Sequence, residues 1–179
     1  MDKKKINFIF SVFIFLIGIL LFISSFLEFM KPSTLLYIVF SLYGGLKLIE
    51  FILTRKEGDL ENLYTFIACT LVAISGYKFA SYSDPKVLGI TLFCWVGVMS
   101  IIKLIKLDYY HDRKDKMFFV NLLTFSLFLL LGLLTSINLY YEQTIQFLML
   151  GFFFVINGIL SMAETGIIIL LKNKQLKIK

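Results

Sequence analysis

Six predominantly apolar runs, residues 6–30, 33–54, 62–83, 86–107, 117–141 and 144–171, occupy most of this chain. Each is as long as the roughly 20 residues a helix needs to cross a bilayer's hydrocarbon core. Inside lipid every backbone amide must be bonded within the protein, and continuous apolar runs without strict alternation satisfy that as helices. With 179 residues in all, six such helices and their joins leave no length for a separate soluble domain. The expected fold class is therefore all-α, a polytopic membrane protein forming one transmembrane domain over residues 1–179. The composition agrees, with 59% hydrophobic and 17% charged residues and a mean hydropathy of +0.86. A large catalytic or ligand-binding ectodomain is excluded. Lys3 to Lys5 precede the first run, which is longer than a signal-peptide core and carries no small-x-small cleavage site, so it is expected to be a retained span.

The runs fall into three close pairs. Lys31-Pro32 joins the first pair, Ser83-Asp84-Pro85 the second and Tyr141-Glu142-Gln143 the third. Pro32 and Pro85 suit helix starts, because the first turn has no intrahelical use for the N–H that proline lacks. The longer joins, Arg55 to Glu61 and Asp108 to Lys116, are charged. Of the 18 basic residues, all but Lys31, Lys78 and Lys86 fall on the side that holds both termini and the longer joins. Basic residues accumulate on the cytoplasmic side of membrane proteins, so both termini are expected in the cytoplasm of a cell-membrane protein. The net charge of +6 is then a mark of topology and of contact with anionic headgroups, not of nucleic-acid binding. Tyr37, Tyr64, Tyr82, Tyr109, Tyr110, Tyr140 and Tyr141 lie at or near span ends, where amphipathic rings prefer to sit.

Features recur at fixed offsets from the three tips. Pro32 is followed twelve residues on by Gly44 and eighteen on by Glu50; Pro85 by Gly97 and Lys103; Gln146, in the equivalent place, by Gly158 and Glu164. Fourteen residues before the tips stand Gly18, Leu71 and Gly132. Three repeated helical hairpins are expected, over about 6–54, 62–107 and 117–171. Gly44, Gly97 and Gly158 read as close helix-packing positions, since small residues let transmembrane backbones approach.

Lys47 and Glu50, Lys103, and Glu164 continue these stripes at steps of three. A charge at mid-membrane costs about 2.5 to 3.5 kcal/mol on insertion scales, so the four are expected to converge in the cytoplasmic half as a neutral cluster, two Lys against two Glu. Two readings stay open: ion pairs that fix the packing of the hairpins, or a polar, proton-responsive site with Glu164 as its first candidate. Asn157 is expected to hydrogen-bond a neighbouring helix. A second group, Glu28, Lys78 and Glu142, is expected at headgroup level near the outer face.

No catalytic constellation is present, and neither an enzyme nor a cofactor is expected. His111, the single histidine, stands in an acidic and basic join with too few companions for a metal site. No Gly-rich phosphate loop or activated nucleophile follows the known patterns. Cys69 and Cys94 lie in apolar runs, about 9 Å apart in depth once the second pair folds about Asp84-Pro85, so no disulfide is expected.

Gly18-Ile19-Leu20-Leu21-Phe22-Ile23-Ser24 leading to Pro32, then Tyr43-Gly44-Gly45-Leu46-Lys47-Leu48-Ile49-Glu50, and Asp84-Pro85 followed by Gly97 resemble the HdeD-type acid-resistance membrane proteins, small six-span proteins of repeated hairpins. The third copy departs from that pattern, with Gln146 in place of Pro. The resemblance implies a non-enzymatic inner-membrane protein linked to acid or envelope stress. A small transporter or substrate-binding subunit of an uptake system is a second expectation, and a structural assembly partner a third. The partners expected are the lipid bilayer and either a second copy of the chain or another membrane protein. The sequence names no small-molecule ligand.

Overall fold

The computed structural model describes residues 3–24, 32–54, 60–79, 85–113, 115, 117–138 and 143–176. They form six helices: α1 Lys3–Ser24, α2 Pro32–Thr54, α3 Leu60–Phe79, α4 Pro85–Asp112, α5 Met117–Asn138 and α6 Gln143–Leu176. Pro32 and Pro85 open α2 and α4, as their missing N–H allows. Five helices are long and apolar enough to cross a membrane; the apolar run of α3, Leu60–Ser75, is shorter.

The stretch around His111, expected as a loop, is helical as far as Asp112. No helix breaker intervenes, and the turn comes only where the Asp115 N–H bonds the Tyr110 carbonyl at 3.1 Å. The Asp115 carboxylate then accepts the Met117 N–H at 3.0 Å, a side-chain cap for an otherwise unbonded amide at the start of α5.

The helices alternate in direction, but the tightest pairs are not the short-linked hairpins. The most extensive contacts are α1 with α6, α2 with α3, and α4 with α5, while each short-linked pair packs less closely. Glycine explains this. On α1 and α6, a Cβ at Gly18 would collide with the Val155 backbone, one at Gly158 would lie 2.7 Å from Phe15 Cα, and one at Gly151 would lie 2.7 Å from the Phe22 amide nitrogen. On α2 and α3, Gly44 faces the Cβ of Cys69 at 3.0 Å; on α5, Gly132 faces a methyl of Val96 of α4 at 2.7 Å. At Gly18, Gly151 and Gly158 the obstacle is backbone, so a Cβ would push the helices apart, whereas at Gly44 and Gly132 it would press on a side chain.

Gly97, expected to pack like Gly44 and Gly158, does not. It is exposed, and a Cβ there would meet open space, because α4 turns Val96 rather than Gly97 toward α5. The glycine in that pair is supplied by Gly132.

Trp95 fills the middle of the bundle. Its ring lies 5.0 Å from Phe40, 6.1 Å from Tyr43, 6.0 Å from Phe128 and 5.9 Å from Phe153, edge-on contacts that suit aromatic quadrupoles. Four of the buried hydroxyls are satisfied within their own helices: Thr65, Thr135, Ser136 and Thr165 each donate to the carbonyl four residues back, the route open to a hydroxyl away from water. The outward faces are apolar, with Leu20, Ile52, Leu71, Ile105, Phe119 and Leu170 all more than 60% exposed, a surface suited to lipid chains.

Candidate functional site: a charged end that ties three helix pairs together

Two side-chain networks occupy one end of the bundle, where α2, α4 and α6 finish and α3 and α5 begin. In the first, Lys47 Nζ of α2 lies 2.7 Å from Glu50 Oε2, one turn along the same helix. The same ammonium donates to Asn62 Oδ1 of α3 at 3.1 Å. Glu50 is only 2% exposed, so its charge depends on that partner. Thr54 donates to the Glu50 carbonyl at 2.8 Å.

In the second network Lys106 of α4 reaches two other helices. Its Nζ lies 2.5 Å from Glu164 Oε1 of α6 and 3.1 Å from Glu61 Oε2 of α3. A long flexible stem carrying three donors can serve two carboxylates at once. Each of the three tight pairs, α2 with α3, α4 with α5, and α1 with α6, thus contributes a member to this bridge. Lys103, one turn before Lys106, has a different neighbour: its Nζ stands 5.0 Å from the Phe128 ring centroid of α5, a cation–π contact. It remains within electrostatic range of Glu61 and Glu164.

Of the four residues expected to converge, Lys47 and Glu50 form a direct pair. Glu164 is 9% exposed and is bound by Lys106 rather than by Lys103. Lys106, Glu61 and Asn62 were not among the expected members. Glu61 lies in the first turn of α3 and Lys106 in the last turns of α4, where charges ordinarily reach headgroups and water. One signal was available, since Lys106 continues the three-residue steps of Gly97, Ser100 and Lys103. The enlarged cluster stays neutral: Lys47, Lys103 and Lys106 face Glu50, Glu61 and Glu164.

Asn157 of α6 is buried near Tyr43 of α2, beneath the charged end. Lys78 is exposed, while Glu28 and Glu142 lie outside the described residues. His111 is exposed beside Asp112, 3.9 Å away, with its ring 5.2 Å from that of Phe118. Asp108, His111 and Asp112 bring ligand-capable atoms within 4.8 Å of one another on the exposed end of α4. Both cysteines are free, Cys69 buried and Cys94 exposed.

Chemically, the arrangement holds charges rather than transfers groups. It keeps three ammonium groups against carboxylates or an aromatic face in a low-dielectric setting, and it does so across boundaries between tight helix pairs. Comparisons with protein-family models, with curated proteins and with solved structures find no match.

Proposed function

We propose that this chain is a non-enzymatic membrane protein of six spans, with both termini cytoplasmic, that responds to acid or envelope stress as HdeD-type proteins do by resemblance. Its working part is the ionic clamp at the charged end. The observation that carries this reading is the bridge from Lys106 to both Glu61 and Glu164, because that bridge joins all three glycine-packed pairs while glycine contacts hold each pair internally.

Six spans are supported by the register of α3 on α2. Tyr37 and Tyr77 have ring centroids 5.8 Å apart near one end, and Lys47 meets Asn62 near the other. α3 therefore runs antiparallel to α2 over the same depth, and its 20 residues reach about 30 Å at 1.5 Å per residue.

Loss of charge at either carboxylate removes one of the two negative partners of Lys106 and weakens the tie between pairs. The charged and titratable groups around that ammonium are Glu61, Glu164, Lys103, Lys47 and Tyr110. Loss of the tie lets the pairs separate at the cytoplasmic end, where a partner protein or anionic headgroups can engage the exposed charges.

The test is survival of acid challenge in cells that depend on this chain. Replacing both Lys103 and Lys106 by Met, which leaves the clamp permanently open, should abolish the dependence of protection on acid pre-exposure while the protein remains in the membrane at normal abundance. Protection by that variant with the dependence unchanged would overturn the reading. A reporter fused after Lys179 should be active only on the cytoplasmic side, and activity on the other side would overturn the topology.

A further inference from the structure

Lys103 and Lys106 are two ammonium-bearing side chains one helical turn apart on α4, facing two carboxylates, Glu61 and Glu164. In the observed arrangement Lys106 holds both, and Lys103 rests over Phe128. Three Lys and three Glu admit another distribution, in which each ammonium has one carboxylate. Lys47 already has Glu50. Lys103 stands farther from the charged end of α4 than Lys106, so its counterpart is the carboxylate set farther along its own helix from that end, Glu164, while Lys106 keeps Glu61.

We infer that the bundle has a second ionic state, in which Lys103 leaves the Phe128 ring and pairs with Glu164 while Lys106 remains on Glu61. This rests on the clamp reading above and gives the clamp two positions. The difference between them is at most one turn of α4 along α6, about 4.5 Å for three residues at 1.5 Å each, less whatever the four-carbon lysine stem covers by changing rotamer. Packed helices slide by such steps when their side chains offer two discrete registers. The contact of Gly132 with Val96 holds α4 to α5, and those of Gly18, Gly151 and Gly158 hold α6 to α1. The movement therefore occurs between two pairs, not within one.

The exchange makes Lys103 a substitute for Lys106, which a purely structural cation–π contact would not do. Cys69 reports on it, because it is buried and its thiol adjoins Trp95 of α4, across the boundary between two pairs. In purified protein carrying Cys94→Ser, the rate of maleimide labelling at Cys69 is measured at one neutral pH in lipid nanodiscs. Lys103→Met alone should change the rate less than about twofold and Lys106→Met about threefold, but the two together should raise it about thirtyfold, well beyond the product of the single effects.

A double variant that labels no faster than Lys106→Met overturns the exchange and leaves the clamp standing. No change in any variant overturns both. Should the double variant fail to fold, Lys106→Met with Glu61→Gln keeps one Lys and one Glu between α4 and α6. Adding Glu164→Gln to it should then speed labelling at least fivefold, and no effect there overturns the exchange.

Discussion

The Lys106 ammonium lies 2.5 Å from Glu164, a carboxylate 58 positions along the chain, and with Glu61 at 3.1 Å it is the point at which three glycine-packed helix pairs meet. Removing one partner of a buried pair leaves the other charge uncompensated, whereas removing both does not.

Replacing both Lys103 and Lys106 by Met, which leaves neither ammonium to hold Glu164, should therefore cost about 3 kcal/mol of unfolding free energy. Adding Glu164→Gln should return at least half of it, because the unpaired carboxylate is then neutral. Thermal unfolding in detergent micelles followed by circular dichroism measures both. No recovery in the triple variant would mean that Glu164 is not coupled to the two lysines.

Gly158 and Gly97 occupy the same place in the sequence pattern and should respond oppositely to alanine. Gly158→Ala sets a Cβ 2.7 Å from Phe15 Cα, a backbone atom that cannot step aside, and should destabilise by about 1–3 kcal/mol as overpacking does. Gly97→Ala meets open space and should stabilise by up to about 1 kcal/mol through helix propensity alone. The two melting temperatures, compared with that of the parent chain, decide it.

Trp95→Ala should leave a cavity bounded by Phe40, Tyr43, Phe128 and Phe153. Lipid tails are as apolar as this core, so what is lost is packing and not exclusion from water; the cost should be about 3 kcal/mol. A loss of near-ultraviolet circular dichroism with helix content retained would mark the effect as one on packing.

Cys94→Leu should be tolerated within about 0.5 kcal/mol, since Cys94 is exposed, whereas Cys69→Leu should destabilise by about 1–3 kcal/mol, since Cys69 is buried with its Cβ against Gly44. Thermal unfolding of the two variants reads this directly. Equal effects would contradict the packing of α3 against α2.

Much of the fold was legible before any coordinates. Helix starts at Pro32 and Pro85 follow from one missing N–H, and six apolar runs demand internally bonded helices whatever their neighbours. Half of the charged site was legible too: Lys47 and Glu50 are three residues apart on one helix, and that spacing alone brings them together. Lys106 and Glu61 are not legible as members, because a charge near a helix end is ordinarily explained by solvent and nothing local reveals that Glu164 stands opposite.

The residues by themselves determined the six helices, the apolar surface and the neutrality of the buried charges, because these depend on local bonding and on the cost of isolated charge in lipid. Tertiary structure decided which helices touch. The offsets pointed to three hairpins of short-linked neighbours, yet Gly18 meets Val155 and Gly132 meets Val96, so the close pairs fall between the hairpins, and α1 closes against α6 from the far end of the chain. The physical reason is that a glycine in an apolar helix fits any close neighbour, and only the assembled bundle selects which backbone fills the space.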